Sequence, residues 1–427
     1  MPKTFAVVNF GCKVNRVESD TIAAVLRAHG CKIAQADDAD IVVINSCAVT
    51  GEAETKTRKA VHHHLRRKNL EALYITGCSA SLNQEDYGAL DPRVCVSCNK
   101  ETLPELILSH IDDAAIDQDA NETALRVGDA FKARVDVKVQ DGCDNACTYC
   151  IIHVARGKAR SYDAERIVHE VDALVRAGTR EVVLTGINLG AYKTHDTPNL
   201  SALLKRLLRE TMIERIRLSS IEPLDITDEL LQLIKKSNGA IAAHFHVPLQ
   251  SGSSKVLSEM HRLYNAEEFK AIVDNAKSVL PNVSLTTDVI CGFPGETDDD
   301  FNQTLEMCKS VGFSKIHVFR FSSRPGTPAH VRNDKVPADV INARASLLRE
   351  LSGELRVADA KSRVGKNEYV FFESQDRGTT ESYHQCVVKN GRKGELLLVH
   401  FEACDDTGIL HGRLIGCEKA CPECDGA

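Results

Sequence analysis

The sequence contains no tryptophan, only 5% aromatic residues and 12 prolines in 427 residues. No stretch approaches the ~20 consecutive apolar residues that a membrane span requires. The opening MPKTFAVVNFG has no basic start, apolar stretch and cleavage site, so a secretory leader is not expected. At 43% hydrophobic and 26% charged residues, a wholly disordered or fibrous chain is excluded. Positive charge is also short: 53 Lys and Arg stand against 60 Asp and Glu, a net charge of −7. That excludes a uniformly basic nucleic-acid binder but leaves room for local basic patches.

Cysteine, by contrast, is abundant. Sixteen cysteines in a chain expected to be reduced and cytoplasmic point to metal or redox chemistry more than to a disulfide scaffold.

The length predicts two to four domains. Residues 1–110 alternate strands (Thr4–Phe10, Asp40–Asn45, Ala72–Thr76) with helices (Val17–His29, Glu52–Lys68), which predicts a parallel α/β domain with its site at the strand C-termini. Cys12, Cys47 and Cys78 fall there, each just past a strand. The acidic, aperiodic stretch 111–130 reads as a linker. From 131 to 361, apolar strands at Val135–Val139, Glu181–Leu184, Arg215–Leu218, His244–Leu249, Val283–Ile290 and Lys315–Phe321 alternate with helices, predicting an open, partial (β/α)6 barrel. Residues 362–417 show four short alternating strands, at Glu368–Glu373, Tyr383–Val388, Glu395–Phe401 and Gly408–Ile415, as in a small antiparallel barrel. A tail, 418–427, follows.

The segment QDGCDNACTYCII places Cys143, Cys147 and Cys150 in C-x3-C-x2-C spacing after the first barrel strand. Three thiolates suit a cubane cluster that keeps one iron open to an external ligand. The rivals are zinc, with His153 as a fourth ligand, and free thiols. The strand context and Tyr149 favour the cluster. Cys417, Cys421 and Cys424 repeat the spacing beside the C-terminus and read as a frayed tail that scavenges metal at most. Cys31, Cys291, Cys308, Cys386 and Cys404 read as core or surface thiols, and Cys95 and Cys98 receive no role. His62, His63 and His64 fan ~100° apart on a helix, so they are not expected to share a metal; with Arg66, Arg67 and Lys68 they read as a basic face.

The Cys143 segment resembles the radical S-adenosylmethionine (SAM) superfamily. With FGCKVNRVES, INSCAVT, TGCSA, CIIHVARGKARS, LTGINLGAY, RLSSIEP, HFHVPLQSGSSKVLSEMHRLY and DVICGFPGET in order, nearly the whole chain resembles the methylthiotransferases of that superfamily. His153 and Val154 depart from it, since Pro-Tyr is usual after CII. The resemblance implies two [4Fe-4S] clusters, one on Cys143, Cys147 and Cys150 and a sulfur-bearing one on Cys12, Cys47 and Cys78. It further implies one SAM that methylates the sulfur and another that yields the radical for insertion at C2 of adenosine 37. GCKVN and Ser219–Pro223 look like the branch acting on threonylcarbamoyladenosine in tRNA rather than those acting on isopentenyladenosine or a ribosomal aspartate. Ser220 and Glu222 at a strand end suit a polar threonylcarbamoyl group, and Arg156, Lys158 and Arg160 lie beside the cluster loop. For SAM the expected contacts are Thr185, Gly186 and Asn188, then Gln250, Ser251 and Gly252, then Gly292, Gly295 and Glu296.

The C-terminal segment, with RGTTESYHQCVV and HGRLIGC, resembles the RNA-binding TRAM barrel. Lys361, Arg363, Lys366, Lys389, Arg392 and Lys393 are expected to meet phosphate and Tyr383 a base. The implied partners are a tRNA anticodon stem-loop, an electron-donor protein and a sulfur donor, with no membrane. A non-catalytic iron–sulfur RNA-binding protein is the alternative of another class.

Overall fold

The computed structural model describes residues 3–111 and 134–415. The expected linker beyond Ile111 and the tail with Cys417, Cys421 and Cys424 lie outside the described residues.

The first hundred residues form a five-stranded parallel sheet in the order Lys32–Ile33, Thr4–Asn9, Ile41–Ser46, Ala72–Gly77, Val94–Val96. Its central strand Ile41–Ser46 is buried along its whole length, as a strand covered on both faces by helices must be. The register sets Asn9 beside Asn45 and Ser46 beside Gly77, so three strands end level. The two edge strands escape sequence reading because they have only two and three residues.

The middle region carries six parallel strands in two sheets. Val135–Lys138, Glu181–Thr185 and Arg215–Leu218 form one, and His244–His246, Ser284–Cys291 and Lys315–Arg320 the other. Bridges Ile216 to Ile241 and Ser220 to His246 join them into the expected open barrel. Amphipathic helices such as Ala164–Arg176 and Leu200–Glu210 bury Val171, Leu174, Leu203 and Leu207 against it.

After the helix Ala338–Lys361 comes a closed five-stranded barrel: Asn367–Ser374, Arg377–Thr380, Gln385–Val388, Leu410–Leu414, Leu396–Cys404. Two expectations are corrected. Arg377–Thr380 is an additional strand, hidden in sequence by its Gly and its lack of apolar alternation. Gln385–Val388 and Leu410–Leu414 pair in parallel, because a ring of five strands cannot alternate direction all the way round. The barrel docks on a buried charge cluster at the start of the middle strands. Glu181 pairs with Arg134, Arg215 and Arg217, while Arg215 and Arg217 donate to the carbonyls of Tyr369 and Glu381.

Candidate functional site

Cys12, Cys47 and Cys78 are 35 and 31 residues apart, yet the level strand ends bring them together. Cys12 caps the helix Lys13–Ala28, Cys47 follows Ser46, and Cys78 opens the helix Cys78–Leu82. Gly77 makes the last turn possible. Its φ is +97°, and a Cβ there would lie 2.2 Å from the Ser46 carbonyl oxygen. Burial, together with the neighbouring thiols of Cys78 and Cys12, pushes the Cys47 thiol up to about 11. The Val49 amide donates to Cys47 Sγ at 3.4 Å and Arg156 Nε to Cys78 Sγ at 3.2 Å.

Cys143, Cys147 and Cys150 lie in one loop. Gly142, with φ +70°, precedes it, and a Cβ there would meet the Lys158 oxygen at 2.0 Å. Thr148 pins the loop to the carbonyls of Met260 and Glu259. Amides of Asn145 and Ile152 donate to Cys143 and Cys150, and Arg262 Nη1 donates to Cys147 Sγ at 3.3 Å while pairing with Glu222. Burial, with Cys147 and Cys143 nearby, pushes the Cys150 thiol up to about 12.

The two triads are neighbours. Ala48 and Cys78 on one side pack with Ile151 and Ile152 on the other, and Leu82, Cys150, Ala155 and Ile187 complete this apolar partition. Burial pushes the core thiols Cys308 and Cys386 up to about 12 as well, so what distinguishes these two sets is the convergence of three thiols. Two zinc-bound sulfurs at ~2.3 Å from one ion lie about 3.8 Å apart. Among the described residues, the trio of metal-binding atoms within 4.8 Å of one another is Asp37, His63 and His64, so both cysteine triads are wider than a one-ion site and His153 closes neither. Three thiolates in each set are the donor chemistry of a cluster that keeps one iron open. The same trio corrects the expectation for the histidines: His63 and His64 do converge, because Asp37 meets them from a preceding loop.

Expected SAM contacts cluster at the strand ends. Thr185 Oγ1, Asn188 Oδ1 and Gln250 Oε1 are buried with no hydrogen-bond partner, as is Ser219 Oγ. Such orphans fit a polar cofactor. Gly186 sits against Gln140, whose Oε1 accepts the Asn188 amide at 2.9 Å. Ser251 is occupied internally, with Thr304 and the Ser253 amide as its partners, and the backbone of Gly252 lies against Thr304. The Gly292 amide donates to Glu296, which Arg344 holds, and Gly295 packs against Arg332 and Asp334.

Of the expected substrate contacts, Ser220 and Glu222 are half-buried beside the barrel, Lys158 is exposed, and Arg160 is exposed but tied to Asp141. Arg156 is a correction. Its side chain is 4% exposed, and every nitrogen is used inside the protein, by Cys78, Glu18, Asp141 and Asn15. Arg363 and Tyr383 are corrected likewise. Arg363 is buried with Asp359 and Glu368, and Tyr383 stacks on His244 at 4.8 Å where the barrels meet. Lys361, Lys366, Lys389, Arg392 and Lys393 remain exposed.

Sequence reading missed Asn15, Glu18, Asp141, Arg262 and Arg324. The first four lie within blocks read for their cysteines or their order, and their long-range partners leave no local period. Arg324 lines a cavity with Val49, Thr50, Cys150, Gln250 and Asp288, and its Nε and Nη2 are buried without partners.

Comparison with known proteins finds matches to both of the larger regions. A model described as the radical SAM superfamily matches residues 137–308, and one described as uncharacterized protein family UPF0004 matches residues 4–98. The chain is 35% identical over 96% of its length, and 97% of the relative, to a threonylcarbamoyladenosine tRNA methylthiotransferase of Thermotoga maritima. It is 32% identical over 100% of its length, and 94% of the relative, to a tRNA-2-methylthio-N(6)-dimethylallyladenosine synthase of Lachnoclostridium phytofermentans. In fold it is similar to the radical SAM methyltransferase TsrM of Kitasatospora setae, at TM-score 0.57 and 15% identity over 78% of this chain and 77% of that one. Such membership implies SAM and a [4Fe-4S] cluster. With a radical SAM barrel behind its own cysteine-bearing sheet and full-length relatives of this kind, the chain belongs to the radical SAM methylthiotransferase family.

Proposed function

We propose that the protein converts N6-threonylcarbamoyladenosine at position 37 of tRNA to its 2-methylthio derivative. The observation that carries the reading is the placement of two thiol triads, with Cys47, Cys78 and Cys147 buried, on either side of one thin apolar partition. A transferase that inserts sulfur needs a radical source and a sulfur store within reach of one substrate atom.

Cys143, Cys147 and Cys150 would hold the radical-generating cluster, and Cys12, Cys47 and Cys78 a second one that carries sulfur. The first group supplies, when bound, the electron that cleaves SAM. The chain's own residues do the rest. Thr185, Asn188 and Gln250 offer their unpartnered atoms to the polar groups of SAM. Gln140 fixes the Asn188 turn, and Arg262 orients Cys147. Ile151, Ile152 and Ala48 exclude water between the triads, protecting a radical from quenching. Val49 and Thr50 face the barrel's Asp288 and Gln250 across the cavity, where the adenine edge would enter. Arg324 presents two unpartnered donors there to an anionic group of substrate or cofactor. Exposed Lys361, Lys366, Lys389, Arg392 and Lys393 are suited to tRNA phosphates.

The experiment is mass spectrometry of nucleosides from tRNA of a deletion strain. Loss of 2-methylthio-threonylcarbamoyladenosine, with its unthiolated precursor accumulating, is expected. An unchanged level contradicts the reading, and loss of the isopentenyl product instead places the chain with its second group of relatives.

A further inference from the structure

We propose that Arg156 is a positioning residue that seats the anionic group of the first cysteine triad and raises its reduction potential, so that the loop of one triad governs the redox behaviour of the other. The inference rests on the reading that Cys12, Cys47 and Cys78 hold a cluster.

Arg156 ends the short helix Ile152–Arg156, directly behind Cys150. It nevertheless reaches across the partition. Its Nε donates to Cys78 Sγ at 3.2 Å, and its Nη2 donates to Asn15 Oδ1 at 2.7 Å. That same oxygen accepts from Cys12 Sγ at 3.4 Å. One guanidinium therefore touches one member of the first triad directly and a second through a single amide.

The charges around it do not balance. Glu18 and Asp141 are the carboxylates, with side chains 6% and 3% exposed. Against them stand Arg156 at 4%, Lys138 at 11% and Lys100 at 15%, with Arg160 at the solvent-facing rim. Three enclosed cations face two enclosed carboxylates, and the surplus lies against Cys78. A protein interior does not tolerate an unmatched charge without a partner. A cubane core of charge 2+ held by three thiolates carries one net negative charge and supplies that partner. Adding an electron makes it more negative, so the surplus stabilises the reduced form and raises the potential. The second triad has no such surplus at its arginine: Arg262 meets Cys147 but is matched one to one by Glu222.

The test uses the full chain with Cys143, Cys147 and Cys150 replaced by alanine, reconstituted anaerobically and titrated with dithionite and mediators under EPR. Arg156→Gln is expected to lower the midpoint potential, Arg156→Lys to fall between, and Glu18→Gln to raise it. Opposite signs for Arg156→Gln and Glu18→Gln are the signature of charge; a merely structural role would move both the same way. An unchanged midpoint at full iron content, or shifts of the same sign, overturns the inference. If Arg156→Gln does not load iron, Lys100→Gln must lower the midpoint while Glu18→Gln raises it, and failure of that pair overturns it equally. A parent variant without iron removes the cluster reading itself, a failure recognisable before any potential is measured. In the intact protein, the midpoint that moves must be the one lost on Cys78→Ala.

Discussion

The two triads solve one problem, bringing three soft ligands together, by opposite routes. Cys143, Cys147 and Cys150 are neighbours in one loop, shaped by Gly142 and pinned through Thr148 to later barrel loops. Cys12, Cys47 and Cys78 come from three strand ends, and only the level register of Thr4–Asn9, Ile41–Ser46 and Ala72–Gly77 unites them. The loop site carries its geometry locally and draws one arginine, Arg262, from elsewhere. The sheet site borrows its geometry from the fold and its charge from the other region, through Arg156, Lys138 and Asp141. The first arrangement is legible as a motif; the second exists only when the sheet is formed.

The sharpest way to break the comparison is to remove one ligand from each triad. Cys147→Ala is expected to abolish SAM cleavage outright, while Cys78→Ala abolishes methylthiolation but leaves SAM cleavage on reduction. Quantifying 5′-deoxyadenosine and modified nucleoside in the same reaction checks both.

Next in size are the glycines. Gly77→Ala and Gly142→Ala each force a side chain at positive φ into backbone contact, at a cost of about 3 kcal/mol or more. Thermal melts should show both destabilised, with iron lost from the sheet site in the first and from the loop site in the second.

Removing Arg262 leaves a half-buried carboxylate without its ion-pair partner. Arg262→Gln strands Glu222 and should lower SAM cleavage by about 10–100-fold; steady-state assay of 5′-deoxyadenosine at saturating SAM checks it.

The smallest effect is the share of the acid dependence that Glu18 carries at the sheet site, beside that of Glu181 under the small barrel. Burial alone would raise the Glu18 carboxyl, but Lys100, Arg156 and Lys138 overcome that and hold it at about 2. The folded value lies below the unfolded one of 4.5, so its contribution is present above about pH 4.5 and is lost as pH falls toward 2. Denaturant melts of the metal-free protein should show an acid limb, and Glu18→Gln should make it shallower while leaving the part carried by Glu181.

Much of the architecture was readable beforehand, and for identifiable reasons. Period-two and period-3.6 patterns placed the six barrel strands and the helix Ala338–Lys361. Strand ends are where such folds put chemistry, which drew attention to Thr185, Asn188 and Gln250 before their unpartnered atoms were seen. What escaped were partners distant in sequence. Arg156 read as a substrate contact because it lies beside the cluster loop, and nothing local reveals that Glu18, 138 residues away, encloses it. Tyr383 read as a base-stacking residue because exposure cannot be seen in a sequence; His244 already covers it.

The central claim is that the chain holds two clusters, one per triad. Iron and acid-labile sulfide measured after anaerobic reconstitution test it most directly. About eight irons per chain are expected, falling to about four when Cys12, Cys47 and Cys78 are replaced together and to about four when Cys143, Cys147 and Cys150 are. About four irons in the parent, unchanged when the first triad is removed, would contradict it.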